Sequence, residues 1–335
     1  MRPDAMEEFG SGIQQAVLAG GSASGRLAED VRWGLSQPRK QLHSQYLYDS
    51  LGSRLFEAIC ALPEYRVTQA EQKLLDRYSN LIVSDLEGPV TLVELGPGSG
   101  EKLAQLIEPL LRNNIGVNVE LVDISEAALD LATRTLTRFP SVPVFCHEAV
   151  YLDGLQRSIK RRHDAGSLLV AFLGSSLGNF APSSAHTFLS NIQTVLRAGD
   201  RFLLGLDLVK PEQELTLAYD DPLGVTAAFN RNILVRLNRE LAADFDLEWF
   251  GHRVIWNFAS SSIEMYLESL CEQKVSIPGA DCQIRFKEGE YIWTESSYKY
   301  TTSQIVSAGM ESGFATRGQW VDEEVKFAVT AFEVL

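Results

Sequence analysis

The chain has 335 residues, 45% of them apolar, enough for one large domain or two ordinary ones. A formal net charge of −14 argues against nucleic acid or an anionic membrane as a partner and points to a small-molecule substrate. Cys60, Cys146, Cys271 and Cys282 show neither metal-type spacing nor a disulfide-dense pattern, and none of the five histidines pair closely, so no metal is expected.

In chain order, the opening "MRPDAMEEFG" is mixed and acidic, unlike a leader, and no apolar run is long enough to span a bilayer. A soluble, cytoplasmic, monomeric protein is expected. "VTLVEL" is a short apolar run of strand type, and "EKLAQLIEPLLR" follows with Leu103, Leu106, Ile107, Leu110 and Leu111 at helical spacing. Pro109 should kink that helix or end it early. "VELVD" reads as strand, "EAALDLATRTLTRF" as helix, "VPVFC" as strand, the polar stretch after it as helix, and "SLLVAFLG" as strand. "SSAHTFLSNIQTVL" is a helix with serines at its start, and "DRFLLGLDLV" another buried strand. Strands alternating with helices imply a parallel sheet covered on both faces.

Beyond Lys210 the rhythm changes. "PEQELTLAYDD" and "VTAAFNRNILVRLNRELA" read as consecutive helices, the second with Val225, Phe229, Ile233, Leu237 and Leu241 on one stripe. "HRVIWNF", "SIEMYLESL", "QKVSI" and "YIWTESS" then alternate like an antiparallel sheet. "TTSQIVSAGMESG" reads as a helix, and "ATRGQWVDE" with "KFAVTAFEVL" as a strand pair returning to the first sheet. The expected division is 1–73 as the N-terminal helical part of a substrate domain, 74–208 as the main α/β domain, 209–299 as an inserted α+β part, and 300–335 as the closing segment.

"VELGPGSGEK" lies where a strand meets a helix, and Gly96, Gly98 and Gly100 permit a tight turn and close approach to a ligand. A dinucleotide fingerprint is spaced G-x-G-x-x-G; here the third glycine comes one residue early, which with Glu94 suits S-adenosylmethionine better than NAD. Asp123, ending the next strand, stands where a carboxylate can take both ribose hydroxyls. Taken alone, the loop leaves open a nicotinamide enzyme or a turn that binds nothing. A second turn, "AFLGSSLGNF", follows the fourth strand. There Asn179 could orient a small polar substrate or cap a helix. In "EYIWTESSYKY", Glu295 and Ser297 are two apart and share a strand face, putting a carboxylate beside a hydroxyl.

Several blocks in order resemble the histidine-specific Nα-methyltransferases of ergothioneine biosynthesis. They are "YDSLGSRLFEAICALPEYRVTQAE", "VELGPGSGEK", "FLGSSLGNF", "DLVKPEQELTLAYDDPLGVTAAFNRNILVRLNREL", "IEMYLES" and "GEYIWTESSYKY". The resemblance covers nearly everything after residue 40. It implies a doubly wound, Rossmann-like methyltransferase sheet with an inserted α+β substrate-binding domain. It also implies Tyr65, Gly96, Lys102 and Asp123 around S-adenosylmethionine. Around the amino acid it implies Tyr48, Phe56, Gly174, Asn179, Tyr219, Met265, Glu295 and Ser297, with Glu295 and Ser297 at the imidazole. An imidazole offers a donor and an acceptor, which a carboxylate and a hydroxyl can match. An indole offers only one donor, so Glu295 beside Met265 favours histidine over a tryptophan-type substrate. Met265 also shares its face with Ile263 and Leu267, as core packing would require, and the aromatics could equally be helix-packing residues.

The sequence departs from the family in two places. After the third strand the family usually shows an Asp-aromatic pair near the adenine; here "CHEAVYLDGL" offers Glu148 as a candidate and has Val150 at the usual Asp position. Ser176 stands where Thr is common. The implied reaction is three methyl transfers to the α-amino nitrogen of L-histidine, giving hercynine. Asn179 and Tyr48 would steer the amine, and water would carry the proton away. Rival readings are another amino acid or amine as acceptor, such as an indole derivative or a thiol-histidine compound, or a non-catalytic sensor or scaffold.

Overall fold

The computed structural model describes residues 23–162 and 166–335; residues 1–22 of the expected N-terminal part lie outside the described residues. The chain divides into two units, one running through Tyr65 and resuming over Pro211–Tyr298, the other formed by Arg66–Lys210 with Lys299–Leu335. Among the described residues the first unit opens with helix α1 (Ala23–Ser36), the short strand β1 (Lys40–Gln41) and helix α2 (Ser50–Cys60). Asp49 caps α2 by accepting from the Gly52 N–H at 2.8 Å, satisfying an amide that the helix itself cannot.

The second unit opens with α3 (Val67–Val83). The domain boundary expected after residue 73 falls inside this continuous helix, which packs along the second unit, so the division lies between Tyr65 and Arg66. Strands β2 (Val90–Leu95), β3 (Val117–Asp123), β4 (Val144–Glu148), β5 (Ser167–Phe172) and β6 (Arg201–Asp207) then alternate with helices. Those helices are α4 (Glu101–Arg112), α5 (Glu126–Leu136), α6 (Tyr151–Ile159) and α7 (Pro182–Val195). α4 runs past Pro109 to Arg112 instead of stopping. The proline stands in its last turn, where one lost backbone bond is offset by burial of Leu106, Ile107 and Leu110.

All six residues of β2 are buried, as expected of a strand covered on both faces. It pairs in parallel with β3 on one side and β5 on the other, so the winding reverses beside it. In such sheets ligands lie beyond the strand carboxyl ends at this reversal. Val93, Leu95, Val170, Phe172, Phe202 and Leu204 pack with Phe188, Ile192 and Ile305 in one continuous core.

The chain next supplies the rest of the first unit: α8 (Glu212–Tyr219), α9 (Val225–Leu241), β7 (Phe250–Asn257), β8 (Ser262–Ser269), β9 (Gln273–Ile277), β10 (Cys282–Phe286) and β11 (Tyr291–Tyr298). Its main sheet has the order β1-β11-β8-β7, with β1 parallel to β11 and the other pairs antiparallel. The expected single antiparallel sheet is therefore split: "QKVSI" leaves it and pairs with β10, a strand the sequence reading did not anticipate. Phe250 meets Phe245 and Phe286 edge-on, and Phe245 and Phe286 lie tilted to one another.

Helix α10 (Thr302–Glu311) and strands β12 (Phe314–Asp322) and β13 (Phe327–Val334) end the chain. β13 runs antiparallel to β6, completing a seven-stranded sheet of order β12-β13-β6-β5-β2-β3-β4. This is the expected doubly wound α/β arrangement, with the Pro211–Tyr298 segment inserted before the closing helix and strands. No helix among the described residues is long and apolar enough to cross a membrane.

Candidate active site

In the second unit, the glycine loop turns at the carboxyl end of β2. Gly96, Gly98 and Gly100 have φ of 73°, 52° and 76°, left-handed values that side chains other than glycine rarely adopt. A Cβ on Gly100 would lie 3.0 Å from the Ala132 backbone, whereas one on Gly98 would meet nothing within 4 Å. The loop is thus braced at α5 and open at Gly98. Asp123, at the end of β3, accepts from the Ser125 N–H at 2.8 Å, and burial pushes its carboxyl up to about 6. Tyr151 lies beside this loop, its hydroxyl 3.2 Å from where a Gly96 Cβ would stand. Burial, then the Asp123 charge, pushes its phenol up. Glu148 is the β4 register partner of Asp123, and Val150 occupies the N-cap position of α6 without a side-chain capping bond.

A fully buried carboxylate ties this loop to the second glycine turn. Lys102 Nζ donates to Glu71 Oε2 at 2.8 Å, and the Gly174 N–H lies 3.0 and 2.9 Å from the two Glu71 oxygens. Gly205 makes room for it: a Cβ there would lie 1.8 Å from Glu71 Oε1. Glu94, also fully buried, has neither carboxyl oxygen hydrogen-bonded among the described residues. Burial pushes it up to about 8; nearby Lys102 opposes the rise, while Glu71 and Asp123 add to it. Asn179 ends the turn Ser176–Asn179 and is half-buried. It does not cap α7, whose N-cap is Ala181 followed by Pro182. Ser176 donates to the Leu173 carbonyl at 2.9 Å, a bond that a threonine hydroxyl could also make.

In the first unit, Tyr48, Phe56, Tyr65 and Tyr219 gather in one aromatic group. Ring centroids are 5.5 Å apart for Tyr48 and Phe56, 6.3 Å for Phe56 and Tyr65, and 6.1 Å for Tyr65 and Tyr219. Tyr65, expected at the cofactor, therefore packs edge-to-face with residues expected at the acceptor. Phe229, expected only as part of the apolar stripe of α9, joins them 5.3 Å from Tyr48. The Tyr219 hydroxyl donates to Ser297 Oγ at 2.9 Å. Met265 stands directly opposite Glu295 across β8 and β11, so both side chains share a face with Ser297. All three are buried.

The family model for histidine-specific, S-adenosylmethionine-dependent methyltransferases matches residues 27–334. The chain belongs to this family. The methyltransferase is 38% identical to the histidine N-alpha-methyltransferase of Mycolicibacterium smegmatis, over 93% of this chain and 96% of that one. It is 30% identical to ergothioneine biosynthesis protein 1 of Schizosaccharomyces pombe, over 82% of this chain and 37% of that larger protein. Among solved structures, magnesium protoporphyrin IX methyltransferase from Synechocystis PCC 6803 aligns with a TM-score of 0.42 and 14% identity, over 85% and 95% of the two chains.

The methyltransferase's glycine loop leaves room for its methyl donor: nothing stands within 4 Å of where a Gly98 Cβ would be, and Asp123 ends the neighbouring strand β3. The sequence pattern gave Glu71 and Tyr151 no site role, and it placed Phe229 only on the apolar stripe of α9. Glu71 ends "YRVTQAE", part of the first block that carries the resemblance.

Proposed function

We propose that the protein methylates the α-amino nitrogen of L-histidine three times in succession, giving hercynine, the first step of ergothioneine biosynthesis. The observation that carries this reading is the buried face on which Glu295, Ser297 and Met265 stand together, with the Tyr219 hydroxyl on Ser297. A carboxylate accepts from one imidazole nitrogen, and the Ser297 hydroxyl serves the other in either role. Gly174 and Asn179 hold the amino acid portion, and Tyr48 and Phe56 flank the amine. Gly96, Lys102, Asp123 and Tyr65 hold S-adenosylmethionine, which supplies an activated methyl group on its sulfonium.

In each turn the neutral amine's lone pair forms the N–C bond while the C–S bond breaks. Its electrons stay on sulfur, leaving S-adenosylhomocysteine. The first and second turns each release a proton before the next, and water takes it, since Asn179 is no base and a phenol ionises near ~10. Orientation by Asn179 and Tyr48 supplies the acceleration; such positioning can be worth ~7–11 kcal/mol. The third product is a quaternary ammonium that cannot donate a hydrogen bond but is attracted to the faces of Tyr48, Phe56 and Tyr65. In this reading the enzyme is a cytoplasmic monomer.

The test is to incubate the protein with labelled S-adenosylmethionine and each of the twenty amino acids, then weigh the product by mass spectrometry. Trimethylhistidine is expected. Preferential labelling of another amino acid, or arrest at one methyl, overturns the assignment.

A further inference from the structure

Asn230, on α9, is fully buried and uses both ends of its amide. Its Nδ2 is 2.9 Å from His252 Nδ1 and donates to the Tyr266 carbonyl at 3.0 Å, while its Oδ1 accepts from the Thr294 hydroxyl at 2.6 Å. An amide nitrogen that donates to a carbonyl can only donate to the imidazole, so His252 Nδ1 is the acceptor. The ring proton is therefore on Nε2, which donates to the Tyr219 carbonyl at 2.9 Å. The Tyr219 backbone is held by His252, and its hydroxyl reaches Ser297.

The other arm reaches the opposite side of the same face. The β11–β8 register shifts between Trp293 and Glu295, making Thr294 the extra residue of a β-bulge. Bulges re-aim the side chains that follow them. The Thr294 hydroxyl also lies 3.0 Å from the carbonyl of Met265, the residue opposite Glu295. A hydroxyl has one proton, and the shorter contact assigns it to Asn230.

We propose that Asn230, His252 and Thr294 form a positioning device that fixes Tyr219 and Glu295 at the spacing an imidazole requires. They act through those residues and do not themselves touch the acceptor. The device needs His252 neutral, because an imidazolium would turn a second N–H toward the Asn230 amide nitrogen. Burial lowers the affinity of His252 for a proton; the bond to the Tyr219 carbonyl, then Asp220 and Asp221, oppose this, Arg231 reinforces it, and the net direction is down. The inference rests on the histidine reading above.

The test uses His252→Phe, which keeps a flat aromatic ring without nitrogens, and Thr294→Val, which keeps shape without the hydroxyl. Both are expected to raise the histidine KM about ten-fold, with a smaller fall in kcat and S-adenosylmethionine Kd within about two-fold of wild type. His252→Gln, whose amide nitrogen can reach the Nε2 place, should recover part of the loss. A merely structural role would lower the fraction of protein that binds S-adenosylmethionine without moving KM. Unchanged histidine KM in both variants overturns the proposal, as does loss of S-adenosylmethionine binding in both. Failure of the wild type to methylate histidine would instead sink the acceptor assignment, which the same assay reports separately.

Discussion

Glu71 Oε2 stands 2.8 Å from Lys102 Nζ, and the same carboxylate receives the Gly174 N–H. A fully buried charge is tolerable only when paired and hydrogen-bonded, and Glu71 has both kinds of partner. Removing one member of such a pair strands the other and commonly costs about 3–5 kcal/mol. Glu71→Gln is expected to lower stability on that scale, read from urea midpoints, and to weaken S-adenosylmethionine binding by about ten-fold or more. Gly205→Ala should reproduce both effects with Glu71 itself unchanged, because its Cβ would intrude to 1.8 Å from Glu71 Oε1 and push the carboxylate from its place. Wild-type Kd in both variants would show that Glu71 serves packing alone.

Glu295 is the sharpest probe of the acceptor face. Glu295→Ala removes the charge intended for the imidazole and leaves the second unit's chemistry alone. The histidine KM should rise by the equivalent of about 2–5 kcal/mol, with S-adenosylmethionine affinity nearly intact. Equal loss of both affinities, measured by calorimetry with each ligand, would mean that Glu295 holds the fold.

What was legible in the sequence follows from how local each signal is. "VTLVEL" read as a buried strand because parallel strands covered on both faces are uninterruptedly apolar. Glu295 and Ser297 were legible as a pair because the bulge lies before both, leaving their two-residue spacing regular. Thr294 itself was not, since a bulge depends on register with β8 and leaves no mark in the alternation. Glu71 looks like any charge on an amphipathic helix; its burial depends on Gly205, a residue remote in sequence. Asn230 and His252 were hidden similarly, because one amide joins α9, β7 and β11 only after folding.

Asp49 adjoins Tyr48 and caps α2, the helix that carries Phe56. It accepts from Gly52 N–H and from Asn232 Nδ2, and it pairs with Arg239. Burial alone would raise its pKa, but these bonds together hold it below the ordinary value of 3.8. A depressed carboxyl pKa contributes stability that is present above the unfolded value and lost as pH falls through the folded one. Asp49→Ala should cost about 1–2 kcal/mol at neutral pH, as loss of a capping residue does. The gap between the two proteins should narrow below about pH 4 in acid titrations followed by circular dichroism. A gap independent of pH would assign the loss to packing.

Glu94 carries the opposite sign. Its folded pKa of about 8 lies above the ordinary 4.5, so the native state binds the proton more tightly than the unfolded chain. Stability is then greatest at low pH, and it falls as pH rises from the unfolded value through the folded one. Across that window a one-proton difference makes the slope approach about 1.4 kcal/mol per pH unit. Asp123, raised from 3.8 to about 6, adds the same sign over a lower window. Glu94→Gln keeps the shape and removes the ionisation. Without ligand, the wild type should lose stability between roughly pH 6 and 8 in urea melts, whereas the variant should stay nearly flat. By about pH 8.5 the variant should be the more stable protein. Parallel curves would show that Glu94 ionises at its ordinary pKa, and that the acidic cluster beside the glycine loop bears a further negative charge at neutral pH.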